Sequence, residues 1–190
     1  MSAASRQYRA SLITVALGIL LLHACQQDNK PVTTTAPRFF QASDFILADY
    51  KKQRESRSLK KIVTINGQTD TLLIPDTLTE TETVLLDKLN LNNPDWADKY
   101  TADTSYGVYG DGDHYSYRSL DEKLPVQSID VYLESGKVSS LKAVSRRHSL
   151  INHHDQVLTY VPRSGYHLVS TQKMWSGDTI RMEIRASFGN

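Results

Sequence analysis

The stretch Thr179-Ile180-Arg181-Met182-Glu183-Ile184-Arg185-Ala186-Ser187-Phe188 decides the fold class. Ile180, Met182, Ile184, Ala186 and Phe188 alternate with Thr179, Arg181, Glu183, Arg185 and Ser187. Successive strand side chains point to opposite faces, so a period of two describes a strand with one buried and one wet face. Upstream, Val126 to Leu133 repeats the pattern at Ile129, Val131 and Leu133; Ser135-Gly136 supplies a turn, and Val138 to His148 can pair back. Gln156 to Val161 and Tyr166 to Met174 flank a further turn at Arg163-Ser164-Gly165. From Tyr100 onward the chain reads as an antiparallel meander.

Further upstream the period changes. Ser43 is expected to cap a helix running to about Arg57, with Phe45, Ile46 and Tyr50 as its buried stripe. Lys60 to Ile65 and Gln68 to Ile74 flank Asn66-Gly67, a hairpin signal because both residues tolerate the positive φ of a type I′ turn. Pro75-Asp76-Thr77 opens a second expected helix, with Leu78, Leu85, Leu86 and Leu89 on one side. Pro94 stops it by disfavouring helical geometry at Asn93. The expected fold is α+β: two N-terminal helices and a β-hairpin packed on a largely antiparallel β-meander sheet.

The N-terminus carries an address. Arg6 and Arg9 precede an uncharged, mostly apolar run from Ser11 to Leu22, followed by the sole cysteine, Cys25. This is the pattern of an export signal. The apolar run is about a dozen residues, short of the roughly 20 needed to cross a bilayer as a helix. Leu22-His23-Ala24-Cys25 resembles the lipobox of bacterial lipoproteins. That resemblance implies cleavage between Ala24 and Cys25 and acylation of Cys25, with chains such as palmitate. The expected organisation is residues 1–24 as lipoprotein signal peptide, 25–37 as lipidated cysteine and flexible tether, and 38–190 as a single α+β domain. Twelve tether residues reach about 40 Å at most. A single cysteine allows no intramolecular disulfide, so the domain must rest on its core.

Charge excludes one large class of function. Of 22 Lys and Arg residues, Arg6 and Arg9 leave with the signal, against 21 Asp and Glu, so the mature chain is nearly neutral. A nucleic-acid binder needs a concentrated basic surface. The basic run from Lys51 to Lys61 reads as a solvated face, with contact to anionic lipid headgroups as its alternative.

Asn90-Leu91-Asn92-Asn93-Pro94-Asp95-Trp96 with Tyr100, Leu158-Thr159-Tyr160-Val161-Pro162 and Ser170-Thr171-Gln172-Lys173 are similar to segments of uncharacterised Bacteroidota envelope lipoproteins. The resemblance spans most of the mature domain. It implies an envelope location and a domain type, without a chemistry.

Four constellations invite a chemical reading. Gly107, Gly110 and Gly112 precede the strand-like Tyr115-Ser116-Tyr117 instead of a helix, so they make a hairpin loop and no phosphate cradle. Asp111 and Asp113 lack the further oxygen ligands of a calcium loop. His148, His153, His154 and Asp155 suggest a metal-assisted hydrolase only if the backbone turns there, because adjacent strand residues face opposite ways; surface histidines in a loop are the plainer reading. Tyr100, Tyr106, Tyr109, Tyr115 and Tyr117 form a possible binding face for a glycan or an envelope protein, since amphipathic rings suit such surfaces. No Gly-x-Ser-x-Gly elbow is present.

The expected function is a lipid-anchored cell-envelope protein acting as a non-enzymatic binding or assembly module. It would meet the membrane through its lipid, require no cofactor and bind no nucleic acid, and its address favours the outer membrane or the periplasmic face. A carrier of an acyl chain or other apolar ligand in a curved sheet is the first alternative, and the hydrolase is the second.

Overall fold

The computed structural model describes residues 38–73, 86–96, 98–107 and 112–189. The expected signal peptide, Cys25 and the tether, most of the second helix, and the loop residues Tyr109, Gly110 and Asp111 lie outside them. Pro37–Asn190 forms one compact unit. Its described residues include helix α1 (Ala42–Arg54), a 3-10 turn at Pro94–Trp96, and nine strands. The strands are β1 (Leu59–Ile65), β2 (Gln68–Leu73), β3 (Tyr100–Ser105), β4 (His114–Ser119), β5 (Val126–Glu134), β6 (Lys137–His148), β7 (Asn152–Val161), β8 (Gly165–Met174) and β9 (Thr179–Phe188).

All nine join one sheet in the order β2-β1-β9-β8-β7-β6-β5-β4-β3, and every neighbouring pair is antiparallel. The α+β expectation with a largely antiparallel meander describes this at the coarse level. The N-terminal hairpin, however, is not packed on the sheet. It extends the sheet edgewise, with β1 pairing β9 from Leu59↔Phe188 to Ile65↔Met182. Its turn uses left-handed Asn66 (φ 50°) and Gly67 (φ 87°), as a I′ turn requires. Asn66 also stitches the turn to β9, its N–H donating to the Arg181 carbonyl (2.9 Å) and its Oδ1 accepting from the Arg181 N–H (2.8 Å).

Helix α1 starts one residue before the expected cap and ends three residues before the expected end. No side chain caps it; the Phe45 N–H bonds to the Gln41 carbonyl at 3.0 Å, and Ser43 lies buried inside the first turn. Arg57 has left the helix to bind the carbonyls of Gly189 and Arg163, each at 2.7 Å. Docking against the sheet, not local capping, sets both ends.

Helix α1 crosses one face of the sheet. Phe45 meets the Tyr160 ring edge-on at 6.5 Å, and Tyr50 meets Phe188 at 5.5 Å. Just before the helix, Phe39 packs edge-on against both Tyr100 and Tyr117. Between these contacts the Asp49 carboxylate accepts from the Tyr160 hydroxyl (2.7 Å), the Arg163 N–H (2.9 Å) and Gln53 Nε2 (3.0 Å). Burial pushes the Asp49 carboxyl up, but these hydrogen bonds prevail and hold it below the usual carboxylate range.

The register lays out the covered face in rows. Val63, Ile184, Leu168, Leu158, Ala143, Ile129 and Tyr117 are cross-strand neighbours in one apolar row. Leu86, Leu89, Leu91 and Trp96 join the same core. Each fully buried Leu or Ile contributes roughly 1.5–3 kcal/mol. The apolar half of this face is therefore filled by α1, Phe39 and the 86–96 segment.

Candidate functional site

One row further along the strands, the same face turns polar. Ser145 pairs with Gln156, and Gln156 with Ser170. All three are more than nine-tenths buried, at 6%, 8% and 5% exposure. The next row holds Arg147, His154 and Gln172. Three consecutive strands thus change from apolar to polar at the same level, so the change belongs to the sheet and not to one strand.

A cavity of about 610 Å³ opens over these rows, lined by Ser145, Gln156, His154 and Arg147. Lys88 contributes from beside Leu86 and Leu89, whose burial in the core holds the segment in place. Glu122 and Lys123 come from the β4–β5 connection. That connection is fixed by the Arg146 N–H, which donates to the Pro125 carbonyl at 2.8 Å, and by Gln127 Nε2, which donates to the Glu122 carbonyl at 3.1 Å. Against the single carboxylate of Glu122 in the lining stand the cations Lys88, Lys123, Arg146 and Arg147, of which Arg146 is paired with Asp155 at 3.0 Å. The cleft is a positive basin with a polar floor.

The floor is incompletely paired. His154 Nε2 and the Ser170 hydroxyl are 2.7 Å apart and satisfy each other. The Gln156 amide and the Ser145 hydroxyl find no hydrogen-bond partner for their side chains among the described residues. Neither is a sealed orphan: their polar atoms open onto the water of the cavity, which an arriving polar ligand can replace. Burial pushes the His154 imidazole down, and the nearby charges of Lys88 and Arg147 push it the same way against the weaker pull of Asp155. At neutral pH His154 is therefore a neutral hydrogen-bonding group.

The expected site residues are dispersed. Tyr100 and Tyr117 are core residues at 2% and 7% exposure. The Tyr100 hydroxyl donates to the Val126 carbonyl (2.9 Å), and burial raises its pKa to about 12; the Tyr117 hydroxyl accepts from the Phe40 N–H (3.2 Å). Tyr115 packs against that core, Tyr106 is exposed, and Tyr109 lies outside the described residues. Tyr100, Tyr115 and Tyr117 therefore share the covered face of β3 and β4, where Phe39 packs on Tyr100 and Tyr117, and with Tyr106 they present no common exposed face.

The histidines occupy strands, not a loop. β7 begins at Asn152 because Ser149 closes a tight turn, its N–H donating to the Asn152 carbonyl at 2.8 Å. Alternation then divides the cluster. His148, His153 and Asp155 meet on the outer face, with the two rings 4.5 Å apart and His148 Nε2 3.7 Å from the carboxylate, which Arg146 already pairs at 3.0 Å. His154 points into the cleft on the other face. Among the described residues no group of three His, Cys, Asp or Glu side chains is placed to hold a metal ion.

Of the Gly107–His114 loop, Gly112 approaches β5 so closely that a Cβ there would sit 1.6 Å from the Leu133 carbonyl oxygen. Asp113 uses its carbonyl to accept from the Leu133 N–H at 2.8 Å. On the outer face, Asp130 is buried between Arg118 Nη2 (2.8 Å) and His114 Nε2 (3.0 Å). Burial raises its carboxyl, but those two partners hold it low, so it is a settled structural ion.

Sequence reasoning missed the cleft, although its signal was present. Read by parity, Leu141 and Ala143 give way to Ser145 and Arg147, Tyr160 and Leu158 to Gln156 and His154, and Leu168 to Ser170 and Gln172. The fold and site together define an α+β domain on an open antiparallel sheet that carries a cationic, polar cleft. Compared with known protein families, curated proteins and solved structures, the chain matches none.

Proposed function

We propose that this chain is a lipid-anchored cell-envelope binding module whose ligand is a small molecule or glycan bearing a phosphate or carboxylate. Ser145 and Gln156 carry the reading: two polar side chains that bond to no other described side chain and open onto the floor of a cavity ringed by Lys88, Lys123 and Arg147. An anion with hydroxyl or amide neighbours would answer both needs, its charge meeting the rim and its polar groups meeting the floor. Among the described residues the Ser170 hydroxyl and His154 form a hydroxyl–imidazole pair, but Ser170 is 5% exposed and outside the cavity lining, and no carboxylate bonds the imidazole, which favours binding over turnover.

The anchor completes the proposal. Acylation of Cys25 would hold the domain at the outer membrane or periplasmic face, as in the Bacteroidota lipoproteins that the sequence resembles. A second helix ending near Lys88 would wall the cleft on one side and, with α1, complete the two-helix arrangement expected over the sheet.

Two measurements separate the parts of the proposal. Calorimetric titration of the full mature chain with inorganic phosphate and with galacturonate is expected to show binding that Arg147→Gln and Lys88→Gln each weaken about ten-fold, the equivalent of one charge-assisted hydrogen bond. Absence of binding to both probes, with identical traces for the variants, refutes the cleft. Cys25→Ala is expected to move the protein from the membrane pellet to the soluble fraction; persistence in the pellet at unchanged mass refutes the anchor.

A further inference from the structure

The sheet ends in two adjacent hairpin tips, β6–β7 at residues 149–151 and β8–β9 at residues 175–178. The Trp175 N–H donates to the Ile151 carbonyl at 3.1 Å, so the tips are tied together. They carry Leu150, Ile151 and Trp175 at 101%, 66% and 81% exposure. Single exposed apolar residues are ordinary, but three of the largest gathered at one extremity are not, and such clusters mark interaction sites. Nothing in the turn geometry requires them. The β6–β7 turn closes through Ser149 and Asn152, and the β8–β9 turn through Met174, Ser176 and Asp178.

Behind the tips sits a positive collar of Arg147, Lys173 and Arg181, all exposed. Of the acids nearby, Asp155 is paired by Arg146 at 3.0 Å, while Asp178 accepts from the Ser176 hydroxyl at 2.8 Å and keeps its charge, so three cations stand against one carboxylate. Apolar side chains at the front with cations one step behind match the layering of an anionic bilayer, acyl chains beneath phosphate. An exposed tryptophan at the boundary suits the same layering, since its ring is apolar and its N–H polar.

We infer that the paired tips Leu150–Ile151 and Trp175 insert into the interfacial layer of an anionic lipid membrane, with Arg147, Lys173 and Arg181 on its headgroups. The contact adds to a lipid anchor and does not depend on one.

The chain has two tryptophans, and Trp96 packs against Tyr100 in the core, so Trp96→Phe leaves Trp175 as the sole reporter at the tip. The full mature chain with this change is mixed with vesicles of phosphatidylcholine and phosphatidylglycerol, with and without lipids brominated near the acyl carbonyls. Trp175 emission is expected to shift to the blue and to be quenched by the brominated lipid, and Leu150→Ser with Ile151→Ser to abolish both. Lys173→Gln is expected to weaken vesicle partition about five-fold, the effect of one headgroup-facing charge. Unquenched, water-like Trp175 emission on acylated protein pelleting with vesicles overturns the inference while leaving the anchor intact. Quenching in unacylated Cys25→Ala protein sustains the inference even if the anchor reading falls. A blue shift without vesicles that grows with protein concentration assigns the tips to a second copy, and overturns it.

Discussion

Replacing Gln156 by leucine separates stability from function. Gln156 is 8% exposed, sits between Ser145 and Ser170 across the strands, and has Leu158 two residues ahead on the same face. Its amide opens onto the water of the cavity, so it does not carry the full penalty of about 1–3 kcal/mol that a sealed, unpaired polar group would. Leucine has similar volume and extends the neighbouring apolar row, so little stability is gained or lost. The ligand-free domain should stay within about 1 kcal/mol of the wild type, or roughly 2–4 °C in melting temperature for a chain of this size. Anion binding should fall at least about ten-fold, because the floor loses a hydrogen bond that the occupied site uses. Thermal and urea denaturation of the mature chain read the first effect, and phosphate titration reads the second. A loss of more than about 1 kcal/mol would mean that the amide is already satisfied in the free protein. The Gln156 side chain would then be committed within the protein and closed to a ligand, against the proposed role of the cleft.

Three further outcomes follow from single contacts. Asp49→Ala should destabilise by about 3 kcal/mol, since it strands the buried Tyr160 hydroxyl and frees the Arg163 N–H; because the Asp49 pKa is held below its ordinary 3.8, its contribution is present above that value and disappears as pH falls through the folded-state pKa, which acid titration of the wild type against Asp49→Asn will display. His154, whose pKa is lowered from 6.5, makes the folded state resist a proton that the unfolded chain accepts, so stability should decline as pH drops below about 6.5; phosphate binding should strengthen over the same interval with proton uptake, and His154→Gln should flatten both profiles. Gly165→Ala should abolish or severely weaken folding, because φ is 129° and a Cβ would lie 2.0 Å from the Ala186 carbonyl oxygen, whereas Gly177→Ala, with nothing within 4 Å but φ at 95°, should cost only the backbone strain of about 1–2 kcal/mol in the same melting experiment.

Local signals were legible and long-range ones were not. The alternation at Ile180 to Phe188 and the turn pairs Asn66-Gly67 and Ser135-Gly136 describe their own neighbourhoods, and the structure places strands and left-handed turns there. The docking of β1 on β9 joins segments more than a hundred residues apart, and no local pattern announces it. Tyrosine is ambiguous because its ring serves cores and surfaces equally; Phe39, far upstream, settled Tyr100 and Tyr117 as core. The histidine cluster turned on where β7 begins. Four residues of strand preceding Gln156 put His153 and His154 on opposite faces, and only then does His154 belong with Arg147. The polar rows escaped notice because serine, glutamine and histidine in a strand read as a wet face. Their sharing parity with Leu158 and Leu168 is what places them indoors.

The pairing of residues 59–65 with 182–188 also dictates an order of events. A polypeptide made from its N-terminus must wait, with β1 and β8 each open along one edge, until residues 179–188 arrive between them. Closing so distant a contact is slow, and open strand edges invite association in the meantime. Guarding by a holdase during that delay, and intolerance of any deletion that reaches residues 179–188, are what such an architecture demands of the cell that makes it.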